Sequence, residues 1–299
     1  MFKVIKNTKI WFTVSIVLAV ASIISLSVFG LKLGIDYKGG TEIQFQSSNA
    51  DRLNVAKSTL DGLSYNGYQL KESGQNQSII RLQYLTNEEH TKLVDALKKN
   101  LPDYSEIQYD TVGPVIGAEL MQKSLWAVIL AALGIIIFVA FAFRKVPKPL
   151  SSWKFGVCAV VALLHDLLIT AGFVSVAGHF FISMQVDALF VTALLTIMGF
   201  SVHDTIVVYD RLRENFIKHP HDDIETVAEN SITQTMVRSI NTSMTTIIVL
   251  LSLLIFGSQS IRHFIAILVF GIIIGTYSSI FNAAPLLVVW QKKSMKQSA

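Results

Sequence analysis

The chain has 299 residues, of which 52% are hydrophobic and only 15% charged, with a mean hydropathy of +0.51. This balance excludes an ordinary soluble domain, which needs more charge to cover its surface. The net charge of +4 comes from basic residues at the ends of apolar segments rather than from a patch with interleaved aromatic residues, so nucleic acid is not an expected partner. The sequence therefore predicts a protein embedded in a lipid bilayer.

Six apolar segments have the length of about 20 residues that crosses a hydrocarbon core of roughly 30 Å. They cover residues 10–29, 124–143, 155–177, 186–209, 239–256 and 264–290. The first is interpreted as an uncleaved span because it is longer than the apolar core of a signal peptide. Pro285 predicts a kink or an early exit from the membrane in the last one. The predicted fold class is a polytopic α-helical membrane protein with six transmembrane helices.

The distribution of Lys and Arg predicts the orientation of these spans. Basic residues precede the first span and follow the second, fourth and sixth, at Lys3, Lys6 and Lys9; Arg144, Lys145 and Lys148; Arg211, Arg213 and Lys218; and Lys292, Lys293 and Lys296. The loop 178–185 has no Lys or Arg. The positive-inside rule then places both termini in the cytoplasm.

The long segment between the first two spans is predicted to fold outside the cytoplasm. Strands are expected at 41–46, 68–72, 78–84 and 106–112, with a turn at Gly74-Gln75-Asn76 between the second and third. Helices are expected at 50–63 and from an N-cap at Asn87 to Asn100. The order β-α-β-β-α-β predicts an α+β ferredoxin-like domain, a shape that hosts many functions.

These patterns divide the chain into successive parts. Residues 1–30 hold the cytoplasmic N-terminus and first span, 31–123 the extracytoplasmic domain, 124–290 the other five spans, and 291–299 a cytoplasmic tail. A polar segment at 211–237, with Ile217, Ile224, Val227 and Ile232 at helical spacing, is predicted to be a cytoplasmic amphipathic helix at the membrane interface. A plain solvated connector is the alternative.

Two charges at membrane depth are the leading candidates for a functional site, because an ionisable group costs roughly 2.5–3.5 kcal/mol on insertion. Asp204 lies in the cytoplasmic half of span four, and Arg238 opens span five with Thr242 one turn beyond it. The two charges are expected to face each other, directly or through water. A proton relay, a static ion pair that fixes helix packing, and a capping or snorkelling Asp204 all remain open at this point.

Other polar residues in the spans are secondary candidates. Asp166, beside His165 in span three, is interpreted either as a second relay or positioning group or as a helix–helix hydrogen bond. His203 points about 100° away from Asp204 around the helix and is interpreted as a packing histidine. The sequence has no nucleophile–base arrangement, no phosphate-binding loop and no metal-ligand spacing, so neither an enzyme nor a bound cofactor is expected.

Several motifs in chain order resemble the SecF family of protein-export subunits, in the resistance-nodulation-division superfamily. GIDYKGGT at 34–41, with Asp36, Gly39 and Gly40, resembles the motif that opens the family's outer domain, and VGP at 112–114, with Gly113 and Pro114, resembles the one that leads into span two. The remaining matches are ALLHD at 162–166, GFSVHDTIVVYDRLREN at 199–215, RSINTS at 238–243 and GTYSSI at 275–280. At position 203 this chain has His where the family usually has Asn.

The resemblance implies a multi-pass protein of the bacterial inner membrane. It implies that the proton gradient drives late, ATP-independent translocation of preproteins through the SecYEG channel, together with SecD. YidC and YajC are further candidate partners. The resemblance assigns the proton path to Asp204, Arg238 and Thr242, with H⁺ as the coupling ion and Na⁺ as an alternative.

Two other functions compete with this one. A proton-driven exporter of a small molecule or lipid belongs to the same superfamily, but such exporters have two six-span halves and larger outer domains. A structural assembly subunit without ion coupling is the third hypothesis. Secretion by variants of Asp204 and Arg238 would separate them.

Overall fold

The computed structural model describes residues 3–73, 76–144, 151–181 and 184–298. Within these residues six helical segments are long and apolar enough to cross a membrane, as predicted. In chain order the elements are α1 (Thr8–Phe29), α2 (Ile35–Lys38), β1 (Gly40–Gln46), α3 (Arg52–Gly62), β2 (Gln69–Glu72), β3 (Gln77–Leu82), α4 (Asn87–Asn100), β4 (Ser105–Val112), α5 (Pro114–Ala142), α6 (Ser152–Phe180), α7 (Ala188–Lys218), α8 (Ile224–Phe256), α9 (Arg262–Ser278) and α10 (Ala284–Ser298). The spans are α1, α5, α6, α7, α8 and the joined pair α9–α10.

Helix α5 begins ten residues before the predicted span at 124. Its first residue is Pro114, which suits this position because the first turn of a helix has unpaired N–H groups that proline lacks. The apolar pattern alone marks the part of the helix that can lie in hydrocarbon, so it misses the polar first turns.

The predicted amphipathic helix at 211–237 is wrong as a separate element. Helix α7 continues to Lys218 and α8 starts at Ile224, so most of the segment extends the two spanning helices. Ile224, Val227 and Ile232 are buried in the core of the helical bundle, while Ile217 is exposed. The apolar residues at helical spacing therefore pack against protein, which hydropathy cannot distinguish from packing against lipid.

A π-helical turn joins α9 to α10 in the sixth span. It covers Ser279–Ala283, and Ala284 separates it from Pro285. A π turn holds one residue more than an α turn and occurs frequently at functional sites. The predicted kink or early exit at Pro285 stays a prediction, and the helix continues beyond the π turn to Ser298.

The helical bundle is one of two compact units, covering Met1–Lys32, Trp126–Gln185 and Leu189–Ala299. Its core includes Phe143, Phe155 and Tyr209, whose rings contact one another. Helix α9 approaches α7 closely, since a Cβ at Gly275 would lie 3.1 Å from the Cβ of Ser201. Small residues at this crossing let polar side chains of several helices meet in the centre of the bundle.

The second unit comprises Leu33–Leu125 and Val186–Ala188. Its four strands form an antiparallel sheet in the order β2-β3-β1-β4. Ile43 pairs with Ile80 across β1 and β3, and both are fully buried beneath Leu60 of α3 and Leu97 of α4. Alternate residues of β3 are buried, as expected for a sheet with one face against helices.

The start of α4 differs by one residue from the prediction. Thr86, not Asn87, is the N-cap, because its hydroxyl accepts from Glu89 N–H while the Glu89 carboxylate accepts from Thr86 N–H. Asn87 is the first residue of the helix. Of the predicted turn at 74–76, Gly74 and Gln75 lie outside the described residues, as do Lys145 and Lys148 of the predicted basic clusters.

Candidate functional site

Two hydroxyl side chains, from α8 and α9, contact the carboxylate of Asp204 of α7. Its side chain is 5% exposed, and Oδ2 accepts hydrogen bonds from Ser243 Oγ of α8 at 3.3 Å and from Thr276 Oγ1 of α9 at 3.4 Å. The two hydroxyls are also 2.6 Å from each other. A carboxylate in a spanning helix is thereby stabilised by neutral donors alone.

The second carboxylate oxygen, Oδ1, differs from Oδ2 in having no hydrogen-bond partner in the described part of the chain, nor does Asp204 form an ion pair there. An ionised carboxylate can accept about four hydrogen bonds. Half of its capacity thus remains for a water molecule, a proton or a group from another chain. Oδ1 therefore has lone pairs that can receive a proton.

The expected direct pair between Asp204 and Arg238 is not formed. Arg238 is exposed and lines a cleft of about 300 Å³ at the end of α7, together with Asp210 and Glu214. Arg238 precedes Ser243 by five residues on α8, which places it about 140° around the helix and roughly 7.5 Å along its axis. Because Ser243 faces Asp204, Arg238 cannot reach the same carboxylate.

Thr242 shares the outward face of α8 with Arg238, as its spacing predicted. Its hydroxyl donates to the backbone carbonyl of Arg238 at 3.0 Å, and its side chain is exposed. The three residues expected in one proton path are therefore divided in this chain. Asp204 is inside the bundle, while Arg238 and Thr242 lie on its surface.

His203 is exposed, so its interpretation as a packing histidine is wrong within this chain. The predicted angular offset is correct, since Asp204 beside it is buried. A side chain on the surface of this chain can contact lipid or another subunit. The sequence of one chain does not reveal which of the two it contacts.

His165 and Asp166 form a separate buried centre. Asp166 is fully buried, and its Oδ1 lies 2.9 Å from His165 Nδ1. Its Oδ2 accepts from Ser201 Oγ of α7 and Ser278 Oγ of α9, both at 2.6 Å. Ser201 is three residues before Asp204 on α7, and Ser278 is two residues after Thr276 on α9, so the two carboxylate centres lie at neighbouring positions of these helices.

The family-motif residues at 34–41 and 112–114 come together in the second unit. Gly39 has a φ of +75°, and a Cβ there would lie 2.8 Å from the Cα of Pro114, so both conformation and space require glycine. Gly40 approaches the carbonyl of Leu82 in the same way, and Gly113 accepts from Gly117 N–H at the start of α5. These glycines allow the chain before β1 to pack against the chain after β4.

Asp36 has a different task in the same motif. Its Oδ2 accepts a hydrogen bond of 2.9 Å from the backbone N–H of Ala188, the first residue of α7. Tyr37 Oη contacts Ser124 Oγ at 2.9 Å and donates to the carbonyl of Asp187 at 3.2 Å. A carboxylate at this position caps the N-terminus of the helix that carries Asp204.

Sequence reasoning missed the hydroxyl and amide groups that hold the two carboxylates. A recurrence of Ser and Thr inside spans that are otherwise apolar was the available signal, since each such group needs a hydrogen bond. Ser201 and Ser278 contact Asp166, and Ser243 and Thr276 contact Asp204, while Asn282 and Ser15 continue the contacts beyond His165.

Comparison with known families shows which family the chain matches. Residues 92–293 match the family described as protein export membrane protein SecD/SecF, C-terminal, and residues 24–51 match the SecD/SecF GG motif. The chain therefore belongs to the SecD/SecF family of protein-export membrane proteins. It is a multi-pass bacterial membrane protein and an accessory component of Sec protein export, not an enzyme.

Within this family the curated relatives are SecF subunits. The chain is 41% identical to protein translocase subunit SecF of Thermobaculum terrenum, covering 98% of this chain and 95% of the relative. It is 38% identical to the SecF subunit of Anaerolinea thermophila, over 97% and 94%.

A solved structure of a SecDF protein is also similar to this chain. The crystal structure of SecDF, a translocon-associated membrane protein from Thermus thermophilus, has a TM-score of 0.85 and 29% identity, covering 97% of this chain. The chain spans 39% of that longer SecDF chain.

Proposed function

We propose that this chain uses the proton motive force, together with SecD, to promote late, ATP-independent translocation of preproteins through the SecYEG channel. The observation that carries the proposal is the buried Asp204, whose Oδ2 accepts from two hydroxyls and whose Oδ1 has no hydrogen-bond partner among the described residues. A carboxylate that must take up and release a proton needs an accessible lone pair and partners that tolerate both charge states. Ser and Thr hydroxyls do so because they can donate or accept.

Arg238 and Thr242 belong to the same path in this proposal, on the surface that meets SecD. Both are exposed on α8, and Arg238 makes no ion pair within the described residues. A cation on the surface of a spanning helix calls for a partner of opposite charge or for water. Assembly with SecD would close this side and let Arg238 influence the charge of Asp204 through water or a neighbouring span.

The translocon and the exported chain are the other partners we propose, with YidC and YajC as further candidates. The SecDF protein from Thermus thermophilus is named as translocon-associated, which supports the SecYEG channel as a partner of this chain. H⁺ is the proposed coupling ion and Na⁺ the alternative, and no bound cofactor is needed because the energy comes from the gradient. Lipid, and not nucleic acid, covers the remaining apolar surface.

We further propose that both termini lie in the cytoplasm and that the second unit is an extracytoplasmic ferredoxin-like domain. The basic residues Arg144, Arg211 and Lys292 support this orientation. The element order β-α-β-β-α-β and the strand order β2-β3-β1-β4 support this fold for the domain. Cysteine-accessibility labelling of residue 95 and residue 222, each in its own single-cysteine variant, would test the two sides.

The function is tested by secretion from cells, or into vesicles, that carry variants of the chain. Asp204→Asn and Arg238→Ala should be inserted at normal levels and abolish the part of export that depends on the proton gradient. Asp222→Asn, a matched change at an exposed aspartate in the loop between α7 and α8, should have no effect. Collapsing the Na⁺ and H⁺ gradients separately identifies the coupling ion.

Each competing function has its own outcome in the same assay. Gradient-dependent export at the normal level in both variants would support a structural assembly subunit without ion coupling. Normal preprotein export in a deletion strain, with a small molecule or lipid bound to the purified protein, would support an exporter.

A further inference from the structure

A continuous series of hydrogen-bonded polar side chains runs from Asp166 towards α1. Asp204 is not part of this series. Asp166 accepts from Ser201 and Ser278, and its Oδ1 faces His165 Nδ1. Asp166 pairs with no Lys or Arg among the described residues, and His165 is the titratable side chain in direct contact with its carboxylate. The charge of this centre therefore belongs to the pair of His165 and Asp166.

The polar chain continues beyond His165 through Asn282 in the π turn. His165 Nε2 is 3.4 Å from the Asn282 side-chain amide, and Ser15 Oγ of α1 is 2.7 Å from the other end of that amide. Ser15 Oγ lies 3.1 Å from Tyr277 Oη, which donates to the backbone carbonyl of Trp11 at 3.0 Å. The described structure thus links α6, the π turn, α9 and α1 by consecutive hydrogen bonds.

Counting protons shows that a neutral His165 leaves this chain incomplete. A neutral ring that donates from Nδ1 to Asp166 has only a lone pair on Nε2, so Asn282 must turn its NH₂ towards the ring. Ser15 then donates its one proton to Asn282 Oδ1, and Tyr277 donates its one proton to Trp11. No proton remains for the contact between Ser15 and Tyr277, where two oxygens face each other at 3.1 Å.

A protonated His165 satisfies every contact. Its Nε2–H donates to Asn282 Oδ1 once the amide is turned over, and the Asn282 NH₂ donates to Ser15. Ser15 in turn donates to Tyr277, and Tyr277 still donates to Trp11. In this arrangement the pair of His165 and Asp166 has no net charge, which reduces the cost of burying the carboxylate.

We propose that His165, Asp166 and Asn282 form an intramembrane proton-binding site. Binding of a proton from water at His165 Nε2 reverses the Asn282 amide and the direction of donation from Ser15 to Tyr277. The protonation of one ring thereby changes hydrogen bonds on three other elements, and the π turn places the amide at their junction. The site goes beyond the proposed function, because it does not require Asp204 to exchange protons.

The other ionisable groups of the surrounding helices have their own partners or lie farther away. Asp204 on α7 is held by Ser243 and Thr276, and Lys154 on α6 contacts Gln291 and Ser294. Helix α1 has no charged residue between Lys9 and Lys32. The remaining titratable groups on the packed elements are Cys158 and His179 of α6; His203, Tyr209, Asp210, Arg211, Arg213, Glu214 and Lys218 of α7; Arg262, His263 and Tyr277 of α9; and Lys292, Lys293 and Lys296 of α10.

The test is nuclear magnetic resonance of the full chain in lipid nanodiscs, with ¹⁵N in histidine rings and asparagine side chains and ¹³C in tyrosine rings. His165→Gln assigns the His165 ring among the 7 histidines. As the pH is lowered from 8 to 5, we expect the ¹⁵N signals of the His165 ring to report binding of a proton at Nε2. The Asn282 amide and the Tyr277 ring should shift with the same midpoint.

Two serine variants on α1 make the test specific. Ser15→Ala should abolish the Tyr277 response, because Ser15 alone connects Tyr277 with Asn282. Ser22→Ala, a buried serine two turns farther along the same face, should retain it. Both changes are small enough to preserve the fold, and retention of the His165–Asn282 response in Ser15→Ala reports that it is preserved.

The proposal is overturned by any of three results. The first result is that His165 keeps one protonation state from pH 5 to 8. The second is that its ring binds a proton while the Asn282 amide and the Tyr277 ring do not respond. Alternatively, an infrared carbonyl band that disappears in Asp166→Asn shows that the carboxyl binds the proton. None of these results bears on gradient-driven export through Asp204.

Discussion

Ser243 Oγ donates a hydrogen bond of 3.3 Å to Asp204 Oδ2, and it occupies the position beside that carboxylate where an arginine was expected. The carboxylate is therefore held by hydroxyls that α8 and α9 contribute, while Arg238 faces outwards on the other side of α8. A proton can be added to such a centre without breaking an ion pair. This arrangement favours a relay over a static pair that fixes helix packing.

The first prediction concerns these two hydroxyls. The double variant Ser243→Ala/Thr276→Val should lower gradient-dependent export by more than tenfold, because a hydrogen bond to a charged group contributes roughly 1.5–3 kcal/mol and about 1.4 kcal/mol corresponds to a factor of ten. Each single variant should have a smaller effect, since the other hydroxyl remains. The measurement is the rate of preprotein translocation with and without an ionophore.

Ser239 is a matched control for this prediction. It lies one turn before Ser243 on the same buried face of α8, and its hydroxyl has no hydrogen-bond partner in the described structure. Ser239→Ala should leave export unchanged. An equal loss in Ser239→Ala and Ser243→Ala would mean that packing of α8, and not the bond to Asp204, determines the rate.

The second prediction separates backbone conformation from close packing in the glycine motif. Gly39 and Gly67 both have a positive φ, near +75° and +70°, but only Gly39 lies against another segment. Gly67→Ala should cost about 1–2 kcal/mol for the left-handed conformation. Gly39→Ala should cost clearly more, because its Cβ would also lie 2.8 Å from Pro114 Cα. Thermal unfolding of the two variants compares them, and equal melting temperatures would exclude a role for the contact.

The third prediction concerns the cap on α7. Asp36→Ala removes the acceptor for Ala188 N–H and should destabilise the start of that helix by about 1 kcal/mol. Asp36→Asn retains an acceptor and should lose less. Hydrogen exchange at residues 188–191 measures the opening of this turn. Asp95→Ala, a change at an exposed aspartate of α4, should not alter it.

The fourth prediction is a pH dependence in the second unit. Hydroxyl donation from Ser48, together with donation from Ser47 Oγ and the Ser48 backbone N–H, lowers the pKa of Asp103 to about 2. Its ordinary pKa is about 3.9, so the ionised form is favoured by folding and its contribution is complete above about pH 4. It should be lost as the pH falls towards 2.

Hydrogen exchange of β1 and of the segment after it, between pH 5 and 2, measures this loss. In Asp103→Asn the protection should be lower at pH 5 and should depend less on pH. An unchanged pH profile in that variant would assign the acid sensitivity to other carboxylates.

Hydropathy predicted the number of spans, and alternation of apolar residues predicted the strands with errors of one or two residues. Both patterns report which side of an element is apolar, and burial depends directly on that property. The N-cap of α4 was displaced by one residue because Thr86 and Asn87 are both good caps. The reciprocal bonds with Glu89 decide between them.

The site was harder to predict because it depends on which faces of different helices meet. Helical spacing correctly placed Thr242 beside Arg238, yet nothing in the sequence showed that Ser243 is the residue that faces α7. The exposure of His203 and Arg238 has a related cause, since the apolar pattern of a chain does not show which of its polar residues lie on the surface of the helical bundle. Asp166 was found as a buried charge, but its partners lie 35 and 112 positions away in sequence.

The π turn at Ser279–Ala283 holds one residue more than an α turn. Deleting one residue there would restore an ordinary α turn, and the residues that follow would keep their faces because the extra residue is absorbed within the turn. Leu287 and Val288, now fully or almost fully buried, would stay in the core, whereas deleting a residue of α10 just before Leu287 would rotate both by about 100°. A single-residue gap in an alignment of this chain with its relatives is therefore expected at this turn rather than in the first residues of α10.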